Sequence, residues 1–284
     1  MAKTYNDIYM DARVRFKQAG ISEYSQEARI LLAHVAGKKP EEFYRDLRLY
    51  TSTKYEEEAE AMIKRRLEGE PLAYLTGRWE FYGLPLVITK DVLIPRIDTE
   101  IVAETAIKLV RGRSVRVLDL CCGSGCIGLA IAANVQESKL VLADNSDAAL
   151  KVARTNAVLN RLSSRTSCIK SDVLGAPEIF LGAFDMIVSN PPYIKTADIA
   201  GLDPSVREYE PIGALDGGES GLDFYESICK NWVRLLNEGG FLVFECGIGQ
   251  SMDVREIGEK NGLDYIKIVK DTLDIDRVVV FRKL

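Results

Sequence analysis

From about residue 97 to its end the sequence alternates short apolar runs with amphipathic stretches, an order that fits a largely parallel sheet flanked by helices. Strands are expected near 115–120, 139–144, 166–171, 184–189, 241–246, 264–270 and 276–282. No helical stretch separates the last two, so they are expected to pair antiparallel and close the sheet. Ahead of this region, residues 5–19, 22–36 and 54–68 carry apolar side chains at helical spacing, with Gly20 and Gly37 placed to stop helices. Trp79-Glu80-Phe81-Tyr82-Gly83-Leu84-Pro85-Leu86-Val87-Ile88 reads as a short hairpin around Gly83. The expected organisation is a small helical domain over 1–75, a linking hairpin over 76–96 and an α/β domain over 97–284.

Several function classes fall away on composition. With 37 Lys and Arg against 42 Asp and Glu, the formal charge of −5 lacks the basic field common in duplex binders, so no direct nucleic-acid partner is expected. The single histidine, His34, lies in an apolar helical stretch, which argues against Ser-His-Asp and HExxH chemistry. Six cysteines, at 121, 122, 126, 168, 229 and 246, show no paired CxxC spacing, so neither a metal site nor a disulfide frame is expected. No apolar run reaches the roughly twenty residues that span a bilayer, and the first seven residues lack a signal core. The expectation is a cytoplasmic, monomeric protein with no membrane partner.

Chemistry concentrates at the carboxyl ends of the expected strands, where open α/β sheets bind ligands. The run Val115-Arg116-Val117-Leu118-Asp119-Leu120-Cys121-Cys122-Gly123-Ser124-Gly125-Cys126-Ile127-Gly128 reads as strand, glycine turn, helix. Its glycines permit close backbone approach to a ligand, and the helix amino end favours negative charge. Asp144 ends the next strand about twenty residues on, where a ribose diol would be hydrogen-bonded. Asp172 and Val173 follow the third strand, placed for an edge and an apolar contact with adenine. Helix capping is the competing reading of both aspartates.

Asn190-Pro191-Pro192-Tyr193 closes the strand Phe184-Asp185-Met186-Ile187-Val188-Ser189. Two successive prolines fix φ and remove two donors, so this loop presents mainly acceptors. The Asn190 side-chain oxygen and the Pro191 carbonyl could each accept one hydrogen of a planar NH2, with Tyr193 as an aromatic wall. The stretch 194–222, which includes Glu210-Pro211 and Asp216-Gly217-Gly218, is long for a simple connection and reads either as a substrate lid or as an exposed excursion.

Together the glycine turn, the acidic strand end and the Asn-Pro-Pro-Tyr loop resemble the class I methyltransferases that modify amino or amide nitrogens. Pro71-Leu72-Ala73-Tyr74-Leu75-Thr76-Gly77 and Leu93-Ile94-Pro95-Arg96-Ile97-Asp98-Thr99-Glu100 are similar to signatures of the peptide chain release factor glutamine methyltransferases, the PrmC/HemK family. That resemblance implies a seven-stranded, mostly parallel, Rossmann-like class I methyltransferase sheet and S-adenosylmethionine as cofactor. It further implies a helical domain that docks class 1 release factors, whose GGQ glutamine is methylated on its side-chain amide. On this analogy Asp119 binds the cofactor, residues Cys121, Cys122, Gly123, Ser124 and Gly125 surround its methionine part, and Asp144 takes the ribose. Asp172 and Val173 flank adenine, Asn190 also faces the cofactor, and Asn190, Pro191, Pro192 and Tyr193 grip the glutamine. Phe81, Glu210 and the segment 95–100 would line the same cavity. Asn190, Pro191 and Tyr193 are the expected catalytic residues.

Two departures stand out: Cys121 occupies a position where related chains usually have glycine, and Asp274-Ile275-Asp276-Arg277 lacks a glycine often found there. Three other readings remain beside this one. A nucleic-acid methyltransferase acting on an exocyclic amine would offer the same NH2 to the same loop. A nicotinamide oxidoreductase shares the glycine turn but leaves the Asn-Pro-Pro-Tyr loop unexplained. A binding protein with a retained cofactor pocket is the third.

Overall fold

The computed structural model describes residues 3–284; the first two residues of the stretch read for a signal core lie outside them. Two compact units divide the chain, Met1–Gly77 and Arg78–Leu284, and the β-hairpin falls within the second.

The first unit holds α1 (Tyr5–Gln18), α2 (Tyr24–Val35), α3 (Pro40–Arg45), α4 (Thr53–Leu67) and α5 (Leu72–Thr76). Thr4 starts α1 through a reciprocal cap with Asp7, and the Ser52 hydroxyl accepts from Tyr55 N at the start of α4. Short α3 and α5 were not anticipated, since six and five residues are too few to show a helical period. The apolar faces close over Phe16, Leu31, Leu32, Phe43, Ala59 and Ile63. Tyr55 reaches into this core and donates to the Leu32 carbonyl at 3.2 Å, which satisfies its hydroxyl. His34 is exposed on α2.

In the second unit β1 (Arg78–Phe81) and β2 (Leu84–Val87) form the hairpin. Its two central residues, Tyr82 and Gly83, have φ of 50° and 75°, a turn whose twist matches that of the flanking strands. A single 3-10 turn (Ile97–Thr99) leads into α6 (Glu100–Val110), and β3 (Val115–Leu120), α7 (Cys126–Asn134), β4 (Ser138–Asp144), α8 (Asp147–Leu159), β5 (Thr166–Lys170) and β6 (Phe184–Ser189) follow. The long connection 194–222 contains α9 (Pro204–Arg207), and after it come α10 (Asp223–Ser227), β7 (Leu236–Glu245), α11 (Ser251–Lys260), β8 (Leu263–Lys270) and β9 (Asp276–Lys283).

The seven strands β3–β9 form one sheet in the order β5-β4-β3-β6-β7-β9-β8. All neighbours pair parallel except β9, which runs antiparallel to both β7 and β8. Chain direction therefore reverses its progress across the sheet between β3 and β6, and the crevice beyond their carboxyl ends is the place where such folds bind ligands. Leu118, Ile187, Trp232, Phe244 and Phe281 lie in the core beneath. Asp271 shapes the β8–β9 turn by accepting from Leu273 N and Ile275 N with one oxygen and from Arg277 Nε with the other. Asp274 sits in that turn at φ 64°, so the position lacking glycine keeps a left-handed backbone that aspartate tolerates.

Candidate active site

β3 delivers the chain into the glycine turn with its final side chain, Leu120, buried, and the turn then needs left-handed backbone three times. Cys121, Gly123 and Gly125 have φ of 56°, 52° and 79°. Cys121 thus adopts the conformation that glycine would take freely, at a strain of about 1–2 kcal/mol. Helix α7 lies so close to the sheet that a Cβ on Gly128 would stand 2.7 Å from Leu142 Cδ2 and 2.9 Å from Asp119 Oδ2. The Gly128 N–H donates to that same Asp119 oxygen at 2.9 Å.

Asp119 is 1% exposed and does not line the cavity. Its expected place at the cofactor is corrected: the carboxylate lies beneath the turn and holds the first turn of α7. Burial pushes its pKa up to about 7, with the Gly128 N–H pulling the other way. Gly125 likewise serves as the α7 N-cap rather than as cavity wall.

A cavity of ≈ 290 Å³ opens above the strand ends. Cys121, Cys122, Gly123 and Ser124 form its floor, and Asp144, Asp172, Val173 and Asn190 rise around it. Asp144 Oδ2 accepts from Gly123 N at 2.9 Å and Oδ1 from Ser146 N at 3.0 Å, so the turn and the end of β4 are locked together. Each carboxylate oxygen keeps a further acceptor direction for a ligand hydroxyl. Burial raises the Asp144 pKa. Asp172 accepts from Leu174 N with Oδ1 alone, leaving Oδ2 exposed at the cavity. Val92, Leu93, Ile127, Val173 and Phe224 supply apolar wall. Acceptors for hydroxyls and an amino group beside an apolar slot suit an adenosine, and the open space above Gly123, where a Cβ would meet nothing within 4 Å, suits a close-lying chain.

Across the cavity stands the loop 190–193. Asn190 Nδ2 donates to Thr99 Oγ1 at 3.4 Å, which turns Oδ1 the other way. Among the described residues no protein donor reaches Asn190 Oδ1 or the Pro191 carbonyl. The loop backbone is gripped closely: a Cβ on Gly217 would stand 2.7 Å from Tyr193 Cα and 2.8 Å from the Pro192 carbonyl oxygen. Gln250 Nε2 donates to the Tyr193 carbonyl at 3.0 Å. The long connection 194–222 folds back on this loop, with Ile194 N donating to the Leu215 carbonyl and Gly217 N to the Ile194 carbonyl, a parallel bridge that pairs Ile194 with Asp216. Its Pro211, Gly213 and Ala214 line the cavity, so part of it is wall rather than excursion.

Four expected contacts are placed elsewhere. Phe81 is 1% exposed in the packing of the hairpin and does not reach the cavity. Buried Glu210 is consumed by the protein itself, accepting from Arg96 Nη2 and from Ile94 N at 3.3 Å; it fixes the 94–96 segment instead of meeting substrate. Tyr193 packs against the sheet core and donates through its hydroxyl to Glu245 at 3.4 Å, a strut and not a cavity wall. Pro191 is buried and contributes no lining surface, although its neighbour Pro192 does.

Two further residues escaped sequence reasoning. Asn156 is fully buried on α8, where its Oδ1 accepts from Val87 N at 2.7 Å and its Nδ2 donates to the Val87 and Ser124 carbonyls. A polar side chain inside the apolar stripe of α8 was the available signal. Glu245 ends the apolar run of β7, the same pattern that singled out Asp144.

The chain matches two family models, the PrmC N-terminal domain over residues 7–77 and the methyltransferase small domain over residues 97–201. It is 39% identical to a release factor glutamine methyltransferase of Agrobacterium fabrum over 277 residues, covering 96% of this chain and 95% of that one. A release factor glutamine methyltransferase of Clostridium botulinum is 36% identical over 284 residues, 98% of each chain. Among solved structures, a methyltransferase from Pyrococcus furiosus superimposes with a TM-score of 0.52 at 21% identity, covering 78% of this chain and 96% of that one.

Proposed function

The chain belongs to the release factor glutamine methyltransferases, and from that membership we propose how its cavity methylates a glutamine. It is an S-adenosylmethionine-dependent methyltransferase, and its acceptor is the side-chain amide nitrogen of a release factor glutamine. The finer reading is that the substrates are class 1 factors, that the glutamine is that of their GGQ loop, and that the helical unit docks the factor.

Asp144 would hold the ribose hydroxyls, Asp172 and Val173 the adenine, and the turn at 121–124 the methionine part. When bound, S-adenosylmethionine supplies an electrophilic methyl group on a positively charged sulfur. The protein's share of the work is alignment, because an amide nitrogen is a weak nucleophile whose lone pair is delocalised into its carbonyl. Asn190 Oδ1 accepts an N–H bond of the glutamine NH2 and orients it. As positive charge grows on nitrogen this oxygen interacts more strongly than with the resting amide, which lowers the barrier rather than merely tightening binding. No side chain acts as a strong base, and the surplus proton leaves to water after transfer.

One observation carries this assignment: the Asn190 amide group turns its nitrogen to Thr99, so an acceptor with no protein donor stands at the same cavity as Asp144. The relatives favour a glutamine over a nucleobase amine as the acceptor. The test is to incubate the protein with methyl-labelled cofactor and a release factor and to map the label by mass spectrometry. Label on the GGQ glutamine, lost when that glutamine is changed to alanine, is the expected result; label elsewhere would reject the reading.

A further inference from the structure

The β8–β9 turn, in which Asp274 stands where related chains often carry glycine, has no part in the reaction just described, yet its shape is fixed several times over. Buried Asp271 takes Leu273 N at 2.8 Å and Ile275 N at 3.0 Å with one oxygen, and Arg277 Nε at 2.8 Å with the other. Lys270 Nζ pairs with Asp274 across the same turn at 3.0 Å. A carboxylate pinned by backbone fixes the guanidinium, and a planar guanidinium fixes the direction of its remaining N–H groups. Arg277 Nη2 meets Asp98 Oδ2 at 3.4 Å, so the turn holds a residue of the segment that enters α6.

Asp98 is the middle residue of the 3-10 turn Ile97–Thr99. Its neighbour Thr99 accepts the Asn190 Nδ2 hydrogen at 3.4 Å, the bond that leaves Asn190 Oδ1 for the cavity. The flanks of the segment are tied elsewhere: Trp79 Nε1 donates to the Pro95 carbonyl at 3.0 Å, Arg96 pairs with Glu210, and Glu100 accepts from Tyr82 N at 2.7 Å. Arg277 grips the centre, one residue from the hydroxyl that orients the amide. Its side chain is 13% exposed and that of Asp98 32%, so solvent screens the pair only in part. A contact at 3.4 Å stands at the outer limit of hydrogen bonding, so a small shift of the 3-10 turn breaks it and frees the amide to rotate. A rotated amide turns N–H bonds toward a substrate that also brings N–H bonds, and donors facing donors are the costly case for a buried polar pair.

We propose that Arg277 is a positioning residue for the methyl transfer: through Asp98 it seats the 3-10 turn so that Thr99 keeps the Asn190 amide with its oxygen toward the substrate NH2. The inference rests on the reading of Asn190 as the acceptor for the substrate amide. Neither Arg277 nor Asp98 lines the cavity, whereas Thr99 and Asn190 do. Loss of the ion pair therefore falls on alignment and leaves the cofactor's contacts in place. Asp98 can be removed without stranding a charge, because Arg277 keeps Asp271.

The deciding experiment measures kcat with methyl-labelled cofactor and a release factor, together with cofactor Kd, in the full chain. The variants are Asp98→Ala, Arg277→Lys, Thr99→Val, Thr99→Ser, Asn190→Ala and the double variant Asp98→Ala/Thr99→Val. Asp98→Ala is expected to lower kcat about tenfold while cofactor Kd stays within about twofold. Arg277→Lys keeps the charge but replaces the fork with a single point, and kcat should fall to a similar degree. Thr99→Val should lower kcat at least as far, Thr99→Ser should stay near wild type, and the double variant should be no worse than Thr99→Val alone. If Asp98→Ala fails to fold, Asp98→Asn, which preserves volume, is read in its place. Wild-type kcat in the Asp98 variant, losses that multiply in the double variant, or equal losses of kcat and cofactor affinity would overturn the proposal. An inactive Asn190→Ala beside a normal Asp98→Ala overturns this step alone; a fully active Asn190→Ala removes the Asn190 acceptor reading as well.

Discussion

Asn190 and Asp119 are both polar side chains near strand ends, yet their surroundings give them opposite duties. Asn190 leaves an oxygen with no protein donor at the cavity, so Asn190→Ala should reduce kcat about a hundredfold, roughly 3 kcal/mol, with cofactor Kd from calorimetry nearly unchanged; equal losses in both would assign it to folding. Asp119 instead stabilises α7 from below and suffers for its burial. Its pKa is raised from about 4 to about 7 on folding, so the favourable contribution is complete below about pH 4 and is lost as pH climbs to about 7. Asp119→Asn keeps an acceptor for Gly128 and discards the charge. Urea titrations should show the variant gaining on the order of 4 kcal/mol over wild type at pH 8 and little near pH 4. The family resemblance grouped Asp119 with the cofactor turn, while the side of the turn on which a carboxylate lies depends on the approach of α7. Glu210 was misread for a related reason: its partners Arg96 and Ile94 are more than a hundred positions away in the chain.

At the scale of elements, the Asn-Pro-Pro-Tyr loop is rigid because three other segments press on it. Gly217 lies against its backbone, Gln250 holds the Tyr193 carbonyl, and Glu245 takes the Tyr193 hydroxyl. Gly217→Ala would force a methyl group within 2.7 Å of Tyr193 Cα, where backbone and not a flexible side chain must yield. The expected result is a kcat loss of about tenfold or more with cofactor binding retained, since misalignment by an ångström is costly when positioning supplies the rate. A wild-type kcat in this variant would mean that the loop tolerates displacement. The strands were legible because buried parallel strands are continuous apolar runs with turn residues at each end. The 194–222 connection was not, since its short helical turns and its bridge at Ile194 and Asp216 arise from contacts with the loop it packs on.

For the whole molecule, every cavity-lining residue belongs to the unit Arg78–Leu284, and the family model for the amino-terminal domain matches only residues 7–77. A chain beginning at Arg78 should bind S-adenosylmethionine with about the full-length affinity yet methylate intact release factor at least tenfold less efficiently, mainly through KM. Undiminished kcat/KM would remove the helical unit from substrate docking. No described helix is long and apolar enough to cross a membrane. The architecture was readable from the alternation of strands and helices, whereas the hairpin's membership of the second unit was not, because it depends on Asn156. That one planar amide fastens both polar groups of Val87 and the carbonyl of Ser124, making the hairpin and the floor of the cavity a single mechanical part. A chimera that imports a hairpin from a relative will therefore keep its floor level only if the imported backbone meets the fork at 156 in the same register.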